Sequence, residues 1–313
     1  MRQLETLRKS IPFLRNSLRL EQIHKGYSSD KKYIVYDSNE RPQYILRTYS
    51  ITENDNKQIK FKHLQMMEEQ GVRCTRPIEI GTLPDQELGY TILTYVEGNE
   101  ASEELPLLTE MEQFHIGFEA GIELLKINQI TAPDHKEPWH ELMSRKHQWY
   151  RTQYAECGVI IHNDTALLSF IDSNLHLMKD RPNRYQHDDF HPRNLVIKND
   201  KFSGVIDFDR DDWGDPIHEF VKIGLFSTEV SLPFSAGQIR GYHHGDGEEP
   251  GEEFWRLYAL YLAMTLIASI VWVLKVNADE LDDMMRRIQR CMDDHDNFEL
   301  MVPKWYSEFK LKA

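Results

Sequence analysis

The hydrophobic positions of the first hundred residues fall in short β-rich runs, Tyr33-Ile-Val-Tyr36, Tyr44-Ile-Leu46 and Tyr90-Thr-Ile-Leu-Thr-Tyr-Val96, separated by Asn, Gly and Pro. Runs of this type between turn formers predict strands. Between the second and third, residues from Lys57 to Gln70 read as a helix ended by Gly71. From Met111 to Asn128 the period changes. Phe114, Phe118, Ile122, Leu125 and Ile127 recur at near-helical spacing and predict a long amphipathic helix.

A further change comes at residues 195–208, where Leu195-Val-Ile197 and Gly204-Val-Ile-Asp-Phe208 flank Lys-Asn-Asp-Lys. A polar turn of that kind joins two antiparallel strands. With the turn centred between residues 200 and 201, Asn194 stands opposite Asp207. Leu257 to Leu274 is an uncharged run of 18 residues, at the lower limit for a bilayer span. Its Tyr258, Tyr261, Thr265, Ser269 and alanines suit instead the buried central helix of a large lobe. A last helix at 281–292 carries Leu281, Met284, Met285, Ile288 and Met292 on one apolar face, and Asn277 with Glu280 has capping-box spacing. These positions read as core. No repeat and no low-complexity linker interrupts the chain.

At 313 residues the chain has room for about two domains of ~150 residues. The pattern places them at 1–97 and 98–313. With 40% hydrophobic and 28% charged residues, the composition is that of an ordinary globular protein. The three cysteines, Cys74, Cys157 and Cys291, are too few and too far apart for a disulfide framework or a C-x-x-C knuckle, which points to a reducing, cytoplasmic home. The charged N-terminus lacks the apolar core of a signal peptide.

Charge changes the picture more. The net of −14 divides into +1 over residues 1–100 and −15 over the remainder. Acidic clusters at 209–212, 246–249 and 293–296 argue against nucleic acid or an anionic membrane as partner and suit a cationic ligand. A solvated acidic face is the plainer alternative.

The candidate chemistry lies in His187-Asp-Asp189-Phe-His-Pro-Arg-Asn194, which has the kinase catalytic-loop spacing H-x-D-x-x-x-x-N. Phosphoryl transfer needs a carboxylate near the attacking hydroxyl and hard oxygen ligands that place Mg²⁺ among the phosphates. Asp189 fits the first role, and Asn194 with Asp207 the second. His187 fits a structural role in the loop, and Arg210, Asp211, Asp212 and Glu219 follow the metal position as candidates for the acceptor pocket, together with Asp209.

At these residues the chain resembles the aminoglycoside phosphotransferase family, a branch of the protein-kinase-like fold that includes choline and macrolide kinases. Gly214-Asp-Pro216 looks like that family's G-D-P segment, and Gly121-Ile-Glu-Leu-Leu-Lys-Ile127 is similar to its long helix before the catalytic loop. Lys25-Gly-Tyr-Ser-Ser-Asp-Lys-Lys-Tyr33 stands where the family has its phosphate-covering hairpin, and Thr94-Tyr-Val-Glu-Gly98 where it has the purine hinge. The resemblance implies an α+β, bilobal protein-kinase-like fold: a small N-terminal lobe with an antiparallel sheet and one helix, and a larger, mainly helical C-terminal lobe holding a catalytic β-hairpin. It further implies ATP or GTP as donor, Mg²⁺, Ser28 and Ser29 over the phosphates, Thr94 and Val96 at the base, and Arg47 as the strand cation. A cationic amino sugar is the implied acceptor, and a monomer or weak dimer the implied state. On the helix at 57–70, Gln58, Lys60 and Lys62 stand where a glutamate partner for Arg47 belongs, so that partner is unassigned. Two other readings stay open: a kinase-like binding module, and a two-His-one-carboxylate iron site built from His187, Asp189 and His218.

Overall fold

The β-rich runs of the first hundred residues pair into one antiparallel sheet, seen in a computed structural model that describes residues 2–24, 29–244 and 249–309. Helix α1 (Arg2–Ser10) precedes the strands β1 (Arg19–Ile23), β2 (Lys31–Tyr36) and β3 (Pro42–Ser50), then comes helix α2 (Asn54–Glu69), and β4 (Pro77–Leu83) and β5 (Leu88–Thr94) complete the sheet. The strand order is β1-β2-β3-β5-β4, antiparallel at every step. The two outer strands were not among the expected runs. Arg-Leu-Glu-Gln-Ile and Pro-Ile-Glu-Ile-Gly-Thr-Leu mix polar and apolar positions, as edge strands with a solvated side do. Leu7 of α1 and Ile11 just after it, with Leu14, pack on Leu20, Tyr33, Val35, Leu46 and Ile92. The helix α2 gives way at Gly71, whose φ of +67° is the left-handed turn that ends many helices.

This sheet and its helices form a unit of residues Met1–Asn99 that also takes in Val196–Lys198 and Ser203–Asp209. Those two segments were expected to belong with the second lobe. They group with the first because Thr75 N–H donates to Val205 O and Val205 N–H to Arg73 O, while Ser203 Oγ donates to Glu97 O.

The remaining residues form the second unit. From residue 99 onward the chain runs through β6 (Asn99–Glu100), α3 (Ala101–Glu104), α4 (Glu110–Asn128), α5 (Trp139–Glu156), α6 (Asp164–Asn174), β7 (Arg184–Gln186), the hairpin β8 (Leu195–Lys198) and β9 (Lys201–Val205), most of which groups with the first unit, and β10 (Asp212–Gly214). Then follow α7 (Thr228–Val230), α8 (Leu232–Tyr242), α9 (Glu252–Val276), α10 (Leu281–Asp294) and α11 (Lys304–Ser307). Helix α4 begins at a capping box, with Thr109 Oγ1 and the Glu112 carboxylate each meeting the other's backbone N–H. The expected box before α10 does not form. Asn277 Nδ2 donates to Glu280 Oε1 at 2.9 Å instead, and a 3₁₀ turn over Ala278–Glu280 leads into the helix. Helix α9 is long and apolar enough to cross a membrane, yet 67% of its most apolar stretch is buried within the protein.

Helices α4 and α8 meet backbone to backbone. Gly117 and Gly121 on one face Gly237 and Gly241 on the other, and a Cβ on Gly237 would run into the carbonyl oxygen of Phe114. A side chain there must push the two helices apart. Gly237→Val is expected to lower stability by about 2 kcal/mol or more, read as a lower denaturant midpoint at unchanged slope.

Candidate active site

In the first unit the antiparallel register of β2 and β3 sets Lys32 beside Arg47. Two cations side by side need carboxylates, and the segment after β9 supplies them. Lys32 Nζ donates to Asp207 Oδ2 at 3.1 Å, and Arg47 pairs with Asp209 while standing 3.9 Å from Asp207. Burial works against the Arg47 charge, but Asp209 and Asp30 outweigh it and raise the guanidinium pKa. Burial likewise opposes the Asp209 carboxylate, and Arg47 holds it below the usual range. Asp209 was expected at the acceptor; its carboxylate is taken instead by Arg47.

The unassigned partner of Arg47 is Asp30. Its Oδ2 accepts from Arg47 Nη2 at 2.8 Å and Nε at 3.1 Å, and from Lys57 Nζ of α2 at 2.6 Å. A second ammonium of that helix, Lys60, donates to the carbonyl of Asp209. Neither Lys32 nor Asp30 was legible as a site residue, although Lys31-Lys32 opposite Ile-Leu-Arg47 was the available sign.

At the expected hinge, Thr94 N–H bonds to Arg76 O at 2.9 Å, and Thr94 O accepts from Thr75 Oγ1 at 2.8 Å. The Thr94 N–H is thus spent inside the unit, which leaves its carbonyl oxygen, already accepting from Thr75, as the backbone group able to meet a base. Val96 follows the strand and is half-buried. Ser29 is exposed, and Ser28 lies outside the described residues.

In the second unit the loop between β7 and β8 carries the catalytic-loop residues. His187 is fully buried and its Nδ1 accepts from Asp189 N–H at 3.3 Å, the structural role expected of it. Asn194 Nδ2 donates to Asp189 Oδ2 at 3.1 Å and to Asp189 O at 2.9 Å, so the amide oxygen is the group left to face a cation. Around the Asp189 carboxylate stand His191 at 3.4 Å, Lys222 at 3.5 Å and Arg210 at 3.9 Å. Burial alone would raise this carboxyl; the His191 hydrogen bond and the Lys222 and Arg210 charges overcome it and hold it far below the usual range.

Glu219 was expected at the acceptor. It is 1% exposed, and it accepts from the backbone N–H groups of His187 and Asp188. Burial, then the charge of Asp188, pushes its pKa up to about 8. It braces the loop through these backbone groups. Of the other acceptor candidates, Arg210 is exposed and lies 5.5 Å from the Trp272 ring, Asp211 is half-buried, and Asp212 opens β10 at 3.9 Å from Lys146. Asp215 of the Gly-Asp-Pro segment is buried, accepting from Arg181 at 2.6 Å, Tyr261 Oη at 2.8 Å and Ile217 N–H at 3.0 Å.

The hairpin register differs from expectation. Asn199 and Asp200, at φ of 50° and 59°, form the whole turn, as a two-residue hairpin loop requires. Its centre is one residue earlier than expected, so ladder pairing does not set Asn194 opposite Asp207, which lies beyond β9. A carboxylate and an amide oxygen are nonetheless the hard donors Mg²⁺ takes, and both residues fit it in kind. The iron reading fails. His218 is buried edge-on against Trp139 and Tyr261, and the described residues include no group of three or more His, Cys, Asp or Glu able to hold a metal.

A catalytic loop of this type in a chain of this fold defines a phosphotransferase with a hydroxyl acceptor. Residues 19–258 match the phosphotransferase enzyme family, and the chain belongs to that family. Its fold is the kinase-like fold of solved aminoglycoside phosphotransferases. One is the ADP-bound aminoglycoside phosphotransferase APH(2'')-Ib, 17% identical with a TM-score of 0.61 over 92% of this chain and 97% of that one. Another is a thermostable APH(4)-Ia variant with ADP and hygromycin B, 16% identical, TM-score 0.63, with the same coverage of 92% and 97%. The GDP complex of an aminoglycoside 2'-phosphotransferase-IIIa mutant is 11% identical, with a TM-score of 0.68 over 96% and 99%. No curated protein matches the sequence. The chain is thus a small-molecule kinase by family and fold.

The brace under the loop carries a pH signature. The folded state keeps the Glu219 proton to about pH 8, whereas an unfolded glutamate releases it near 4.5, so this group lowers stability as pH rises through that window. Glu219→Gln should flatten that fall, which thermal melts at a series of pH values would record; an unchanged slope would contradict it.

Proposed function

We propose that this kinase transfers the γ-phosphoryl of ATP or GTP to a hydroxyl of a cationic small molecule, with an aminoglycoside-like amino sugar as the first candidate. The observation that carries the reading is the Asp189 carboxylate, kept ionised by His191, Lys222 and Arg210 and tied to Asn194. So weak a base suits phosphoryl transfer, in which the nucleophile is positioned and its proton leaves late. Asp189 orients the acceptor hydroxyl and takes its proton. Arg47, with Lys32 beside it, meets phosphate oxygens, and Ser28 and Ser29 cover them. Val96 serves the base. Asn194 and Asp207 hold Mg²⁺, which neutralises charge on the phosphates when bound. Asp211 and Asp212 stand for the acceptor side, with Arg210 among them. The ADP, GDP and hygromycin B complexes of the structural neighbours support the donor and acceptor classes. A reducing, cytoplasmic setting, which the three free cysteines suit, and a monomer or weak dimer complete the reading.

One observation favours a second reading. Lys222 and Arg210 beside Asp189, and Lys146 near Asp212, offset much of the local acidity. A singly charged or neutral acceptor, of choline, thioribose or macrolide type, fits that balance. A panel of such hydroxyl compounds with both nucleotides, read by product mass, separates the two.

Asp189→Ala should lower turnover by about 10²–10⁴-fold while nucleotide still binds; undiminished turnover would sink the assignment. Neutralising Asp211 and Asp212 together should raise KM for a cationic acceptor and leave that for nucleotide nearly unchanged. Equal loss for both would make the pair structural.

A further inference from the structure

Kinase-like enzymes commonly orient the strand cation by a carboxylate on the neighbouring helix. Here the order of charges is reversed. Helix α2 presents Lys57 and Lys60 toward the sheet, and the carboxylate comes from Asp30, one residue before β2. The Asp30 side chain is 1% exposed, and three cationic N–H donors converge on its Oδ2. The Arg47 side chain is 11% exposed and that of Lys57 14%. Lys57 is held from a second side, its ammonium 5.3 Å from the centre of the Tyr49 ring on β3. A buried carboxylate between two buried cations fixes both, because moving either leaves charge uncompensated.

The geometry points to Asp30 as the positioning residue for Arg47, with Lys57 locking Asp30 to α2, so that a carboxylate just before β2 and a helix-borne ammonium replace the helix glutamate. This rests on the kinase reading above. Asp30 acts through Arg47 and touches no substrate. With Asp30 in place, the guanidinium is held by two carboxylates, Asp30 just before β2 and Asp209 after β9. Without it, Lys57 and Arg47 face each other as like charges and Arg47 is drawn toward Asp209 and Asp207. The cation then loses the orientation in which it meets phosphate, while recognition of the base is untouched.

The test uses the full chain, Mg²⁺ with a non-hydrolysable ATP or GTP analogue, and the matching nucleoside, with both affinities measured by calorimetry. Asp30→Asn is expected to weaken the triphosphate analogue about tenfold or more and to leave the nucleoside within about twofold. The double variant Asp30→Asn/Lys57→Glu returns a carboxylate from the helix side, and triphosphate affinity should recover to within about threefold of wild type. Equal losses for triphosphate and nucleoside, unchanged triphosphate affinity in Asp30→Asn, or no recovery in a folded double variant would each overturn the proposal. Should Asp30→Asn alone fail to fold, the double variant decides: near-wild-type triphosphate affinity sustains the proposal, and a loss beyond tenfold ends it. A wild type that binds neither ligand would overturn the kinase reading itself, and this inference with it.

Discussion

A carboxylate withdrawn from water must be met by cations or N–H groups, and the arrangement of this protein's chemistry follows from how each buried acid meets that demand. Asp215 does so with Arg181, the Tyr261 hydroxyl and a backbone N–H. Asp189 does so with His191, Lys222 and Arg210, and remains charged. Asp30 does so with Arg47 and Lys57. Glu219 is the contrasting case. Its hydrogen bonds come from two backbone N–H groups of the catalytic loop, and burial pushes its proton release to about pH 8. One loop thus has an ionised acid on its working side and a reluctant one beneath it.

Much of the fold was legible because its signals are local. The three inner strands, the long helix ending at Asn128 and the apolar helix after residue 251 are written in periods of two and 3.6 residues. The edge strands β1 and β4 and the helix α1 were not, since half-polar edges and a short helix gain their stability from packing that no window of sequence contains. The catalytic loop was legible for a different reason: the spacing of His187, Asp189 and Asn194 is itself the signal. The hairpin argument for Asp207 depended on where a turn begins, and a shift of one residue undid it. Asp30 was hidden because its partners are 17 and 27 positions away, joined to it by strand register and helix packing.

The acidic cluster at 209–212 shows how little bulk charge says about a pocket. Asp209 is spent on Arg47, and Asp212 accepts from the backbone of Trp213 with Lys146 nearby. A net of −15 in the later part of the chain is therefore compatible with a nearly balanced field around Asp189. Selectivity among acceptors rests on the placement of a few charges, and counting them does not recover it.

The glycine seam between α4 and α8 bears on how such an enzyme can change. At these glycines backbone lies on backbone, so the two helices have no room to slide there and hold together as one beam. Adaptation to a new acceptor then has to be written in the connecting segments and their charged tips. Divergence in what is phosphorylated can proceed there while the beam beneath stays the same.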